Sequence, residues 1–122
     1  MTANECITGR RSIRKFTEQP VSHELIQKIV ETASFAPSWK NTQITRYIAV
    51  EGEAKKALAK CTSIYPGNGA IMEQAPMVIA VTILTGRSGF ERDGSFSTPK
   101  GTGWQMYDAG VASEAFCLAA YE

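Results

Sequence analysis

The sequence predicts a single domain that combines helices with a small number of β-strands, and three observations support this. Its 122 residues are close to the commonest domain size. Amphipathic stretches with helical spacing alternate with two short runs rich in β-branched residues. The hydrophobic content of 43% and the charged content of 20% are typical of a globular chain with a buried core.

The N-terminal third is expected to form two helices. Thr2 and Glu5 have the spacing of a capping box, which predicts a short helix over residues 3–8. Ser22 can cap a second helix, which we expect to end at the Ala-Pro-Ser segment 36–38. Five apolar residues of this second helix share one face at helical spacing: Leu25, Ile26, Ile29, Val30 and Ala33.

The middle of the chain is expected to hold two strands separated by a helix and a loop. The run 45–50 (TRYIAV) is rich in strand-forming residues and predicts a strand, and residues 53–60 predict a short helix. Pro-Gly-Asn-Gly at 66–69 predicts a loop. Residues 77–84 (MVIAVTIL) are apolar almost throughout, which predicts a central strand buried on both faces.

The last third is expected to be a long loop followed by a long helix. Residues 85–103 contain five of the ten glycines and predict a loop. Residues 104–122 are apolar on most faces, which predicts a helix buried in a large core or against a partner chain. Because two strands are too few for a stable covered sheet, we expect the chain to be the front part of a larger protein, or to be completed by another chain.

Residues 9–16 (GRRSIRKF), here called the basic segment, concentrate positive charge in a chain whose net charge is only +1. Nucleic-acid and membrane-surface binding need a broad basic face, which a nearly neutral net charge argues against. We therefore expect neither nucleic acid nor a membrane as a partner. In an extended segment, Arg10, Ser12 and Arg14 project to one side and suit a terminal phosphate monoester. The charges alone leave open a solvated basic turn, or pairing with nearby Glu18.

Cysteine and histidine usage predicts neither a disulfide framework nor a metal site. Cys6, Cys61 and Cys117 are odd in number and lie at spacings without a motif, which favours reduced thiols in a cytoplasmic protein. His23 is the only histidine, so a zinc site or a Cys/His nucleophile pair is not expected.

Four segments, in their order along the chain, resemble the FMN-dependent nitroreductase family. They are RRSIRKF (10–16), APSWKNTQ (36–43), Asn68 ahead of QAPMVIAVTI (74–83), and WQMYDAGVASEAFCLAA (104–120). The resemblance covers essentially the whole chain. It implies an α+β flavoprotein fold with a central mixed β-sheet flanked by helices, built as an intertwined homodimer with FMN at the interface.

The resemblance also implies which residues bind the cofactor in the chain's own half of the site. Arg10 and Ser12 would hold the FMN phosphate, with Arg11 beside it. Arg14 would lie near the pyrimidine edge of the flavin, where a cation favours the reduced cofactor. Asn68 would bond the pyrimidine or ribityl oxygens.

A second group of residues is implied to approach the flavin from the partner subunit. Pro37, Ser38 and Trp39 belong to it, with Asn41 in support. Phe96 and Trp104 could stack on a flat substrate. Equally, Trp104 could simply anchor the start of the last helix.

The implied reaction is ping-pong electron transfer from NAD(P)H, through FMN, to a nitroaromatic or quinone-like acceptor, with no side chain acting as acid or base. The sequence departs from the family pattern at Ile44, Ile71 and Glu114, and lacks the family's later segments. Two alternatives therefore stay open. One is a truncated or degenerate relative that binds flavin without turnover, and the other is a non-enzymatic module that binds a phosphate ligand or a partner protein.

Overall fold

A computed structural model describes residues 1–62 and 64–122, and in that part of the chain it combines helices with one small sheet. A short 3-10 turn spans Trp39–Asn41. The helices are α1 (Ala3–Gly9), α2 (His23–Ala33), α3 (Gly52–Lys60), α4 (Pro66–Gln74) and α5 (Gly103–Tyr121), and the strands are β1 (Thr45–Val50) and β2 (Val78–Ile83).

The starts of the first two helices are confirmed as the sequence predicts them. The Thr2 hydroxyl accepts a hydrogen bond from the Glu5 amide, and the Glu5 carboxylate accepts one from the Thr2 amide, which completes a capping box. The Ser22 hydroxyl accepts from the amide of Leu25 at 3.1 Å. Helix α2 ends at Ala33, three residues before the Ala-Pro-Ser segment that was expected to end it.

The two strands pair antiparallel, with Thr45 opposite Ile83 and Val50 opposite Val78. This small sheet with its helices confirms the mixed helix-and-sheet class, and the described residues contain no parallel pair. Tyr47 connects the sheet to α5, because its hydroxyl donates to the carbonyl of Ala112 at 3.2 Å and its ring stacks on Phe116. Burial of the Tyr47 phenol raises its pKa.

The prediction that the second strand is buried on both faces is wrong. Val81 in β2 is 42% exposed, and Ile48 in β1 is 52% exposed. Helix α5 is the main helix in contact with the strands of the described chain, and it covers only part of the sheet. A continuous apolar run is therefore not sufficient to predict a strand covered on both sides.

The prediction of a loop at residues 66–69 is also wrong, because Pro-Gly-Asn-Gly forms the first turn of α4. Proline is well suited to the first helical position, where no amide hydrogen is needed. The end of α4 is held by α3: the ammonium group of Lys55 donates to the carbonyls of Glu73 at 3.0 Å and of Ala75. A cation at carbonyls of a helix C-terminus also complements the helix dipole.

Within one chain the last helix is not buried all round, and its burial against a partner chain stays a prediction. Helix α5 packs on α2, on both strands and on α1. Yet Met106 and Tyr107 are 63% and 65% exposed, whereas the polar Gln105 and Asp108 are buried. In the first half of α5, the buried side therefore serves polar contacts with the neighbouring loops.

We predict that Lys55→Met lowers the free energy of unfolding by about 1–2 kcal/mol, because two carbonyls at the end of α4 lose their charged donor. Urea unfolding followed by circular dichroism measures the change. Lys56→Met is the matched control, since Lys56 is exposed and forms a surface ion pair with Glu53. Equal loss in both variants would contradict the role given to Lys55.

We predict a pH-dependent contribution from His23, whose Nε2 lies 2.9 Å from the Glu51 carboxylate. The hydrogen bond and charge of Glu51 raise the pKa of His23 above its usual 6.5. The stabilisation is therefore full below about pH 6.5 and is lost as pH rises through the raised pKa. NMR titration of this single imidazole should show a lower pKa in Glu51→Gln, and an unchanged pKa would contradict the pairing.

Candidate functional site

The basic segment, α4 and the C-terminal half of α5 border an open groove of about 630 Å³, here called the basic groove. Five of the predicted cofactor residues line this groove: Arg10, Arg11, Ser12, Arg14 and Asn68. The first four follow α1 directly, whereas Asn68 lies in the first turn of α4. The fold thus brings a distant amide side chain to the same groove as the cluster of arginines.

The arginines of the groove differ in how they are held. Arg10 Nε lies 3.5 Å from a carboxylate oxygen of Glu114, but this buried nitrogen makes no hydrogen bond within the described chain. Arg11 donates to the carbonyls of Thr8 and Arg10 at 2.7 Å each. Arg14 donates to the carbonyl of Ser12 at 3.3 Å. Arg11 and Arg14 are otherwise exposed at the groove.

The position of the basic segment is set by contacts at both of its ends. At one end, a Cβ atom on Gly9 would lie 2.5 Å from the Tyr121 hydroxyl, so a side chain at this position would have to displace the Tyr121 ring. At the other end, the Gln74 side chain accepts from the amide of Phe16 at 3.3 Å and donates to the carbonyl of Arg14 at 3.2 Å. The segment is extended between α5 and the end of α4.

The second group of predicted residues lies in residues 37–43, here called the Trp39 turn. The Trp39 amide donates to both carboxylate oxygens of Asp108 at 3.1 Å. The Ser38 hydroxyl accepts from the amide of Gln43 at 2.9 Å. Asp108 is only 2% exposed and also accepts from the Ser88 hydroxyl at 2.6 Å. The turn is thereby fixed to the buried side of α5.

Aromatic rings lie beside the Trp39 turn. The rings of Trp39 and Trp104 are 6.4 Å apart, and the Lys40 ammonium group lies 4.5 Å from the centre of the Trp39 ring. The Trp104 indole donates to the Thr98 hydroxyl at 2.8 Å, which agrees with an anchoring role for this ring. Phe96 packs on Phe90 with its ring 57% exposed.

The two groups of predicted residues lie along different halves of α5. Pro37 and Ser38 border a separate cavity of about 420 Å³, which Asp108 also lines. At a rise of about 1.5 Å per residue, Asp108 is about 12 Å along the helix from Phe116 and about 20 Å from Tyr121. Both of those aromatic residues line the basic groove. Within one chain, the groove and the Trp39 turn therefore form two separate surfaces.

Three contributors to these surfaces were not identified in the sequence: Gln74, Ser88 and Asp108. Of the three, only Asp108 could have been recognised from the sequence pattern. It is a carboxylate within an apolar helix, and such a group requires a partner when it is buried. Gln74 and Ser88 are ordinary polar residues in sequence, and their partners lie 58 and 60 positions away for Gln74 and 20 positions away for Ser88.

Residues 1–62 and 64–122 contain no group of three acidic, cysteine or histidine side chains placed to hold a metal ion. Over the same residues, no helix combines the length and the apolar character needed to cross a membrane. All three cysteines are free, with Cys6 buried and Cys61 and Cys117 exposed.

The sequence comparison matches the chain to one protein family. The model of the nitroreductase family matches residues 7–66. A protein of Methanothermobacter thermautotrophicus, provisionally named an NADH dehydrogenase/NAD(P)H nitroreductase, is 31% identical over 121 residues. That alignment covers 99% of this chain and 56% of the relative.

Solved structures give the same result for the fold. A nitroreductase family protein from Clostridium novyi superposes with a TM-score of 0.75 at 27% identity, over 99% of this chain and 64% of that one. A provisionally described nitroreductase from Desulfovibrio desulfuricans, solved in complex with FMN, superposes with a TM-score of 0.71 at 26% identity, over 96% and 60%. The fold is that of the nitroreductases, and the chain spans a little over half of these relatives. The chain belongs to the nitroreductase family.

Proposed function

We propose that this chain carries the flavin-binding portion of an FMN-dependent oxidoreductase that takes electrons from NAD(P)H. The observation that carries the proposal is the basic groove, where Arg10, Ser12 and Arg14 lie together with Asn68. Two comparisons support it: one neighbour was solved with FMN, and one relative is named for NAD(P)H. The family relationship itself supports a redox function.

The chemistry of the groove suits the phosphate and the pyrimidine of FMN. Guanidinium groups match phosphate oxygens, and the Ser12 hydroxyl adds a further donor. Within the described residues, the buried Arg10 Nε makes no hydrogen bond. Arg14 can stabilise negative charge at the pyrimidine edge, and the Asn68 amide can bond pyrimidine or ribityl oxygens. FMN itself would supply the electron-transfer chemistry when bound.

The remaining cofactor residues would come from a second copy of the chain. Pro37, Ser38, Trp39 and Asn41 lie beside the first half of α5, whereas the groove lies at its second half. A flavin in one groove would meet this turn more readily from another protomer. We therefore propose a homodimer with the flavin between its subunits. The free cysteines are in keeping with a reducing, cytoplasmic environment.

The proposed reaction follows a ping-pong order. Reduced nicotinamide delivers its electrons and leaves, and a nitroaromatic or quinone-like acceptor then takes its place. The groove residues act by position and charge, so no side chain is assigned a proton-transfer role. Phe96, whose ring is 57% exposed, and Trp104 beside the Trp39 turn are the aromatic residues proposed to contact the acceptor.

A second candidate function is flavin binding without turnover. The groove itself favours it, because the residues that line it suit a phosphate and a flavin ring, whereas none of them is assigned a role in electron transfer. A test that separates the two candidates is to incubate the chain with FMN, desalt it, and record the visible spectrum before and after NADPH or NADH. Retained yellow colour that bleaches supports the oxidoreductase, and colour that persists supports binding alone. A colourless protein would contradict both.

We predict that Arg10→Ala weakens FMN binding by about 1.5–3 kcal/mol, the usual scale of a charge-assisted hydrogen bond. Titration followed by quenching of flavin fluorescence measures the dissociation constant. Arg92→Ala is the matched control, because Arg92 is exposed in loop 85–102 and its loss changes net charge equally. Unchanged affinity in Arg10→Ala would place the phosphate elsewhere.

We predict that Glu114→Gln tightens FMN binding by up to about fivefold, since an exposed ion pair is worth less than about 1 kcal/mol. The amide no longer competes for Arg10 and no longer repels the phosphate. Glu31→Gln on α2 is the control for net charge, and the same fluorescence titration applies. Weaker binding in Glu114→Gln would show that this carboxylate supports the site instead.

A further inference from the structure

We propose that Asp108 is a positioning residue, whose buried carboxylate holds the Trp39 turn in the shape needed to face a ligand. The inference rests on the proposed flavin function, because it concerns the turn assigned to the second half of that site. Neither Asp108 nor its partner Ser88 belongs to the predicted cofactor residues. Both were found from the contacts in the structure.

The Trp39 turn has a backbone shape that needs external support. Lys40, Asn41 and Gln43 have φ angles of 45°, 53° and 47°, in the left-handed region that residues with a side chain rarely adopt. Such conformations persist only where surrounding contacts impose them, and they are frequent at ligand sites. Within the turn, the Thr42 amide donates to the Trp39 carbonyl at 3.0 Å. The bond to Asp108 holds the turn from outside.

The carboxylate is suited to this role because it is buried and has few alternatives. At 2% exposure it would be costly to leave without donors. Its two donors, the Trp39 amide and the Ser88 hydroxyl, belong to the Trp39 turn and to the loop of residues 85–102, and not to the α-helices packed around α5. Removing the carboxylate would therefore release these two segments in particular.

The same side of α5 also holds the loop of residues 85–102. Gln105, three residues before Asp108, accepts from the amide of Gly86 at 3.0 Å. Ser88 lies two residues further along that loop and donates to Asp108. The Trp39 turn and the loop therefore share one buried carboxylate. Movement of the loop at Ser88 would therefore disturb the carboxylate that binds the Trp39 amide.

The test compares Asp108→Leu and Asp108→Asn with Asp93→Asn, an exposed aspartate, as the matched control. Amide hydrogen exchange at Trp39, followed by NMR without flavin, reports the position of the turn directly. We expect exchange at Trp39 to be at least about tenfold faster in Asp108→Leu, while amides in the second half of α5 change much less. The asparagine variant should be intermediate, because its amide oxygen can still accept one bond. The control should match the wild type.

The second measurement is the dissociation constant for FMN in the same variants. We expect at least about a tenfold loss of affinity in Asp108→Leu, with the asparagine variant partly rescued. Unchanged exchange at Trp39, or exchange that rises equally along α5, would overturn the inference. Faster exchange at Trp39 with unchanged affinity would overturn it too. If the leucine variant does not fold, the asparagine variant alone decides between these results.

This pair of measurements separates failure of the inference from failure of the proposed function. If the wild-type chain binds no FMN, the proposed function fails. The exchange rate at Trp39 then still shows whether Asp108 holds the turn, because that measurement contains no flavin. If the wild-type chain binds FMN, and the Asp108 variants match the Asp93→Asn control in exchange rate and in affinity, the proposed function stands. The positioning role of Asp108 is then overturned.

Discussion

The packing of α5 against the rest of the chain is the constraint on which the other features depend. This helix of 19 residues contacts α2, both strands and α1. Its second half meets the sheet through Phe116 and Tyr47, and meets the basic segment where Gly9 touches Tyr121. Its first half uses the buried Asp108 to hold the Trp39 turn. Each surface of functional interest is therefore positioned by α5.

This arrangement has a direct consequence for how a flavin site can be assembled. The groove and the Trp39 turn lie along opposite halves of a helix that is about 28 Å long. One small cofactor in the groove is far from the turn of the same chain, so a second copy is the simpler source of the remaining contacts. The two-fold symmetry common in homodimers would then create two equal sites.

Features set by local chemistry were predicted well, and features set by distant contacts were not. The cap at Thr2 and the bounds of β1 follow from short-range patterns and are confirmed. The first turn of the helix at Pro66–Gln74 was missed, because glycine and proline indicate a loop, although proline also suits the first position of a helix. The bond between Asp108 and Trp39 joins residues 69 positions apart, which no spacing rule anticipates. For the site, sequence indicated residue types, and only the fold showed that they form two groups.

The central claim is that the basic segment and Asn68 form the phosphate and pyrimidine half of a flavin site. Titration of the ¹⁵N-labelled chain with FMN, followed by chemical-shift mapping, tests it most directly. We expect saturable chemical-shift changes centred on residues 10–14 and 68. When two copies share the flavin, we expect a second cluster of changes at residues 38–41. Saturable shifts confined to other parts of the chain, or no saturable shifts at all, would contradict it.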